Sequence, residues 1–291
     1  MTTETDWGGA PSVLRMILGR RLEQLRIRAG LGHAEAGAAI GVSHSTIRRM
    51  EAAKVARLRL ADAEKLLRVY GVTDPHAIES FLRSVREADK PGRWHGYRDV
   101  VPDRCAAHLG LEQAAVRIRG YENSCVPGLS QTEDYARALL RATHPGASAE
   151  TTERRVALRM RRQRLLAGPE PPRLWVVLDE AVLRRTVGGP GTMRAQIDHL
   201  AEIGRLPHVT VRLMPFAHGP HPAMPAAAYH LLRFRACELP DTVYVDGLLG
   251  AVHLDRPEHV EPYRETLDRL AAQAAPAART ETLLGAIRGE L

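Results

Sequence analysis

The sequence of 291 residues has few aromatic residues, few lysines and few cysteines. Aromatic side chains make up 4% of the chain, so the hydrophobic core must be built mainly from Leu, Val, Ile and Ala. No apolar run approaches the roughly 20 residues needed to span a bilayer. The first residues include Glu4 and Asp6 and no apolar segment, and the three cysteines are too widely spaced to indicate a disulfide framework. We therefore expect a cytoplasmic protein without a signal peptide or a membrane span.

The positive charge of the chain is carried almost entirely by arginine. Lysine and arginine number 41 against 34 acidic residues, a net charge of +7, and only Lys54, Lys65 and Lys90 are lysines. Such a balance suits an anionic partner. The arginine excess, beside abundant Ala and Gly, is also typical of a GC-rich genome, so the charge alone does not identify the partner.

A cluster of helix breakers, Lys90-Pro91-Gly92, predicts a boundary between two domains. The first, residues 1–90, reads as a row of short amphipathic helices. Apolar residues at helical spacing, together with terminal Gly, Ser and Asp-Pro signals, predict these helices. They begin near Ser12 and then cover about 33–40, 44–51, 60–70 and 75–88.

The second domain, residues 91–291, mixes helices with strands. Helices are predicted over about 106–121, 132–143, 149–166 and 257–274, with a last one after Pro276. The apolar or alternating runs at 174–178, 209–214, 229–234 and 242–245 predict strands. The predicted fold class is a mainly α N-terminal helix-turn-helix domain followed by an α+β sensing domain.

The second and third helices describe a helix-turn-helix. Gly41 permits the tight turn, and Ser43 is an N-cap for a helix on which only Ile47 and Met50 point inward. Such a helix fits the major groove of DNA, roughly 12 Å wide, with its first turn at the base edges. Spacing alone leaves open a second interpretation, in which these are simply the packed helices of a small α domain.

The residues of this region resemble the phage-repressor-like, Xre-type helix-turn-helix. The resemblance is carried by Leu18-Gly19-Arg20-Arg21-Leu22, by Ile40-Gly41-Val42-Ser43 and by Ser45-Thr46-Ile47. It implies that Arg26 and Glu51 form a structural ion pair between the first helix and the recognition helix. Two positions depart from the family: Gly32-His33 replaces the usual Ser-Gln, whose Gln holds a phosphate, and Ala52-Ala53 replaces a frequent Asn-Gly.

The predicted contacts with double-stranded DNA come from the start of the second helix and from the exposed face of the third. The resemblance places Ser43, His44, Ser45 and Arg49 where the family reads bases. The complete set of predicted DNA-binding residues is His33, Ser43, His44, Ser45, Arg48 and Arg49. Because helix-turn-helix proteins usually read paired half-sites, we expect a homodimer.

The second domain resembles the sensing domain of WhiJ-like, antitoxin-like regulators of actinomycetes. The motifs include Val126-Pro127-Gly128-Leu129, Arg161-Arg162-Gln163, Leu178-Asp179-Glu180-Ala181 and Leu213-Met214-Pro215-Phe216. The resemblance implies a transcriptional regulator that responds to a small acidic partner protein, often encoded beside it, or to a small molecule. No cofactor is implied.

A pocket in the second domain is predicted from prolines that fix the backbone beside apolar surface. We expect it to be bordered by Tyr121 and Phe216, with Glu180 and His221 as its polar groups. The alternative function is a biosynthetic enzyme that evolved on a regulator scaffold, with its site near Asp179, Glu180 and His221. The scattered histidines and Cys237 lack the spacing of a zinc site, so no metal is expected.

Overall fold

The computed structural model describes residues 11–55, 57–101, 103–247 and 250–291. The signal-peptide prediction concerns Glu4 and Asp6, which lie outside the described residues. The chain divides into two compact units. Of the described residues, those within 1–96, 106–114 and 235–239 form the first unit, and those within 97–105, 115–234 and 240–291 form the second. The boundary predicted at residue 90 stays a prediction.

The regular secondary structure in the described part of the first unit is helical. Its first five helices are α1 (Pro11–Arg28), α2 (His33–Ile40), α3 (His44–Glu51), α4 (Leu60–Val69) and α5 (Pro75–Ala88). The predicted bounds of α2, α3 and α5 are confirmed, because short-range signals set these ends. Gly41 ends α2 in the left-handed conformation, Ser43 caps α3, and Asp74 caps α5 ahead of Pro75.

One apolar core joins these five helices. Leu22 of α1, Ile47 of α3, Leu66 of α4 and Phe81 of α5 are buried in the same cluster. Each helix contributes an apolar stripe that it cannot bury alone, so the helices are stable only together.

The second part of the chain alternates helices and strands. In order, they are α6 (Asp103–Ala114), β1 (Ala115–Glu122), α7 (Glu133–Thr143), α8 (Ala149–Gln163), β2 (Arg173–Asp179), α9 (Glu180–Arg184), α10 (Pro190–Ile203), β3 (Val209–Met214), β4 (Tyr229–Phe234), β5 (Thr242–Gly247), β6 (Gly250–Leu254), α11 (Pro257–Gln273) and α12 (Ala277–Glu290). Single turns of 3-10 helix lie at His95–Tyr97, Gly128–Ser130, Arg164–Ala167 and Phe216–His218. None of the helices in the described ranges is long and apolar enough to cross a membrane.

The strands form one mixed sheet in the order β3-β2-β1-β4-β5-β6. Strands β1, β2 and β3 are mutually parallel, and β4, β5 and β6 continue the sheet in antiparallel pairs. Helix α11 covers part of one face, where its Leu267 and Leu270 pack with Tyr121, Val177 and Leu231. The predicted fold class, a helical N-terminal helix-turn-helix region followed by a domain of mixed sheet and helices, is confirmed.

The predicted helix over about 106–121 is wrong beyond Ala114, because α6 passes directly into the central strand β1. That strand is hydrogen-bonded on both sides, to β2 and to β4, and this long-range pairing outweighs the local helical pattern. Gly120 marks the strand, because a Cβ there would lie 2.5 Å from the ring of His230 on β4. The short helix α9, helix α10 and strand β6 were not predicted.

Candidate nucleic-acid interface

The turn between α2 and α3 depends on two glycines. Gly41 has a φ of 76°, and its amide donates to the carbonyl oxygens of Ala38 and Gly37. A Cβ at Gly37 would lie 2.6 Å from the carbonyl oxygen of Val42, so no side chain fits at this position. The sequence analysis identified Gly41 from its place after an apolar helix. It did not identify Gly37, because the close approach of the turn is visible only in three dimensions.

Helix α3 presents a polar, exposed face. The hydroxyl oxygen of Ser43 caps the helix by accepting the amide of Thr46 at 3.2 Å, and it also lies 2.8 Å from the hydroxyl of Ser45. Ile47 and Met50 are buried, so the opposite face is free. The side chains of His44, Ser45, Arg48 and Arg49 are on that exposed face.

The imidazole and guanidinium side chains of this face have no protein partner within the described ranges. His44, Arg48 and Arg49 form no hydrogen bond or ion pair with other described residues through their side chains. An unpaired guanidinium keeps its five donors available for phosphate or for the O6 and N7 atoms of guanine. The geometry is therefore that of an open surface along the exposed face of α3, with Ser43 and His44 at its start and the two arginines in its last turn.

A buried ion pair connects α1 to the end of α3. The guanidinium of Arg26 meets the carboxylate of Glu51 with two contacts, 2.7 Å from Nε to Oε1 and 3.0 Å from Nη2 to Oε2. The two side chains are only 8% and 5% exposed. The hydrogen bond to Glu51 raises the pKa of Arg26 above its ordinary value. Nη1 of Arg26 donates to the carbonyl oxygen of Leu31 at 2.8 Å, so the pair also holds the α1–α2 connection.

His33 lies against this ion pair. Its Nε2 is 3.1 Å from Oε2 of Glu51 and 3.2 Å from Nη2 of Arg26, while about a third of the side chain is exposed. The sequence analysis placed His33 among the DNA-binding residues at the position of a phosphate-holding Gln. In the structure one of its ring nitrogens is directed into the protein, and a role at phosphate would fall to the other.

Helix α3 approaches α1 closely at Gly19. A Cβ on this residue would overlap the carbonyl oxygen of Glu51 and come within 3.0 Å of the carbonyl oxygen of Met50. Gly19 therefore sets the distance between α1 and the recognition helix. The sequence showed Gly19 as part of a motif without revealing this contact.

The chain leaves α3 through a strained residue. Ala53 has a φ of 54°, the left-handed conformation in which glycine is normally found. The family that this region resembles in sequence often has Asn-Gly where this chain has Ala52-Ala53. With alanine instead of glycine at position 53, the backbone keeps this left-handed conformation, which the methyl group of Ala53 makes unfavourable.

The four residues predicted to border a pocket in the second unit fall into two pairs. The hydroxyl of Tyr121 and Nε2 of His221 each lie 3.4 Å from Oδ2 of Asp179, and burial raises the pKa of Tyr121. Glu180 accepts the amide of Phe216 at 2.8 Å and the guanidinium of Arg184 at 2.9 Å. Tyr121 and His221 are buried, whereas Phe216 is 58% exposed. The pocket itself stays a prediction.

These contacts give Glu180 a structural role. Its carboxylate ties the start of α9 to the loop after β3, and Asp179 caps α9 by accepting the amide of Ala181 at 2.9 Å. Among the residues that the structure describes, no group of three His, Cys, Asp or Glu side chains is arranged to hold a metal ion.

Comparison with known families agrees with this geometry. Residues 17–81 match a helix-turn-helix domain, so the first unit defines a helix-turn-helix protein. Residues 105–286 match a domain of unknown function, DUF5753, and the chain belongs to that family. No curated protein and no solved structure matches the chain.

Proposed function

We propose that the protein is a sequence-specific transcriptional regulator of the Xre type that binds double-stranded DNA through α3. The observation that supports this most strongly is the exposed face of α3, where His44, Arg48 and Arg49 have no partner in the described chain. The buried pair of Arg26 and Glu51 holds that face in a fixed orientation toward the rest of the unit.

The proposed docking follows from the position of each group. Ser43, His44 and Ser45 open the helix and would meet base edges in the major groove, together with Arg49 one turn further along. Arg48 and the free edge of His33 would meet phosphates. Since such proteins read half-sites spaced by a helical turn, the proposal includes a homodimer, which sedimentation of the full chain would detect.

The second unit is proposed to receive the signal that controls DNA binding, from a small acidic partner protein or from a small molecule. Likeness of the whole chain to WhiJ-like, antitoxin-like regulators is part of the same proposal.

The direct test is fluorescence anisotropy with a labelled duplex from the region upstream of the protein's own gene. Binding should weaken steeply as salt rises, because phosphate contacts release counterions. Arg49→Ala should weaken binding, because it removes a guanidinium from the exposed face of α3. Arg86→Ala is the matched control, since it removes an exposed arginine of the same unit that already pairs with Glu79 at 2.7 Å. Absence of binding at low salt, or binding that salt does not change, would contradict the proposal.

A further inference from the structure

Three arginines lie side by side across the sheet of the second unit. Arg117 of β1 is in register with Arg173 of β2 on one side and with Arg233 of β4 on the other. Neighbouring strands are about 4.8 Å apart, and residues paired in register project to the same face. Like charges directly opposite one another destabilise a sheet, so this row needs a compensating charge.

Two further arginines extend the row into a concave site. Arg119 is two residues along β1 from Arg117 and therefore on the same face, and Arg264 comes from α11. An open concavity is lined by Arg117, Arg119, Leu231, Arg233, Asp241 and Arg264. Helix α11 covers the neighbouring part of this face. It leaves the arginine row uncovered, and Arg117, Arg173 and Arg233 are accordingly exposed.

The carboxylates at this site do not balance the arginines. Asp241 pairs with Arg233 at 2.7 Å and with Arg264 at 3.2 Å. Asp268 pairs with Arg119 and Glu261 pairs with Arg264, each at 2.7 Å. Five guanidinium groups thus share three carboxylates.

The unbalanced charge lies at Arg117 and Arg173, whose side chains form no hydrogen bond or ion pair with any other described residue. The Nε of Arg264 is buried and also lacks an acceptor within the described ranges. The concavity and the adjoining Arg173, which pairs in register with Arg117 but is not part of the lining, together offer several unused donors and an excess of two positive charges.

The site is also partly organised in advance. The guanidinium of Arg119 lies 5.0 Å from the centre of the Trp175 ring, and its pairing with Asp268 holds it further. Leu231 supplies an apolar floor, as ligand sites usually have. Guanidinium groups recognise carboxylate and phosphate through paired, charge-assisted hydrogen bonds.

We propose that this concavity binds a small organic anion with at least two negative charges, a phosphate ester or a dicarboxylate. The concavity is open to solvent, and the excess of two positive charges in this cluster matches a dianion. If this anion is the small-molecule effector, the inference names its chemical class, and that part of it rests on the proposed sensing role. Binding of the anion itself requires no DNA.

The test is isothermal titration calorimetry of the full chain without DNA, at constant ionic strength in chloride. Inorganic phosphate, pyrophosphate and succinate are the probes, and at least one should give saturable binding. Arg117→Gln should weaken that binding by about tenfold, the effect of losing a charge-assisted hydrogen bond. Because the titration contains no DNA, its failure would not affect the proposal that α3 binds DNA. Failure of DNA binding would likewise not affect the proposal that the concavity binds an anion.

Arg185→Gln is the matched control. Arg185 is an exposed arginine whose side chain has no described partner. It follows α9, which begins at the end of β2 that lies about 20 Å along the strand from Arg173. It should keep the affinity of the unmodified protein. Three results would overturn the proposal: no probe binds, Arg117→Gln binds as well as the unmodified chain, or Arg185→Gln loses as much affinity.

The melting temperature gives a second readout. Without a probe, Arg117→Gln should melt at a higher temperature than the unmodified chain, because it relieves repulsion across the three strands. A lower melting temperature together with unchanged affinity would assign Arg117 a purely structural role and contradict the proposal.

Discussion

The two units expose their arginines in opposite ways. On α3 the arginines project from a convex helix whose apolar side is buried. They lie together because they are adjacent in the sequence. In the sheet the arginines come from three strands that are far apart in the chain, and register brings them together. A protruding cationic helix suits a groove, whereas a concave cationic face suits a small ligand that enters it.

This difference decides how much of each site could be predicted from the sequence. In the first unit the signals are local, because Gly41 and Ser43 set the ends of α2 and α3 and the spacing of Ile47 and Met50 identifies the exposed face. The close contact at Gly19 escaped prediction, since it depends on how α1 packs against α3.

In the second unit the sequence indicated most helices and four strands, with β3 and β4 predicted at their observed bounds. It did not indicate β1, because residues 106–121 read locally as one helix. Because β1 was not predicted, its pairing with β2 and β4 was not predicted either. The alignment of Arg117 with Arg173 and Arg233 depends on that pairing, so the sequence analysis could not identify it. The predicted pocket was built from motif residues such as Glu180 and His221, and it did not include the arginine row.

The largest expected effect concerns the ion pair that holds the recognition helix. Arg26→Ala should lower the free energy of unfolding by about 3–5 kcal/mol, because it leaves the carboxylate of Glu51 buried without its partner. Urea denaturation followed by circular dichroism measures this. Arg86→Ala, which removes an exposed pair, should leave the midpoint almost unchanged. Equal midpoints for the two variants would show that the buried pair does not organise the unit.

The next effect concerns the contact between α1 and α3. Gly19→Ala should cost about 1–3 kcal/mol of stability, because the added methyl group overlaps the backbone of Glu51 and forces the helices apart. Gly285→Ala on α12 is the control, since nothing lies within 4 Å of its Cβ position. That change should instead stabilise the protein by about 0.5–1 kcal/mol through helix propensity. Thermal denaturation of both variants compares a packed glycine with an open one.

A smaller effect of opposite sign is expected at the end of α3. Ala53→Gly should raise the free energy of unfolding by about 0.5–1 kcal/mol, because relief of the left-handed strain exceeds the entropy that glycine adds to the unfolded chain. Chemical denaturation of this variant beside Ala52→Gly tests it. Ala52 has a negative φ of −81°, so glycine there should give no such gain, and a larger gain at residue 52 would contradict the strain argument.

The central claim is that α3 reads DNA sequence, and selection from a library of random duplexes tests it most directly. The unmodified chain should enrich one motif, and the same selection with Arg49→Ala or His44→Ala should relax the motif at particular positions. Each lost groove contact is expected to remove about 1–3 kcal/mol of discrimination. Arg86→Ala should return the unmodified motif. A clear motif that is identical for the unmodified chain and for both α3 variants would contradict the account, since the sequence would then be read by another part of the protein.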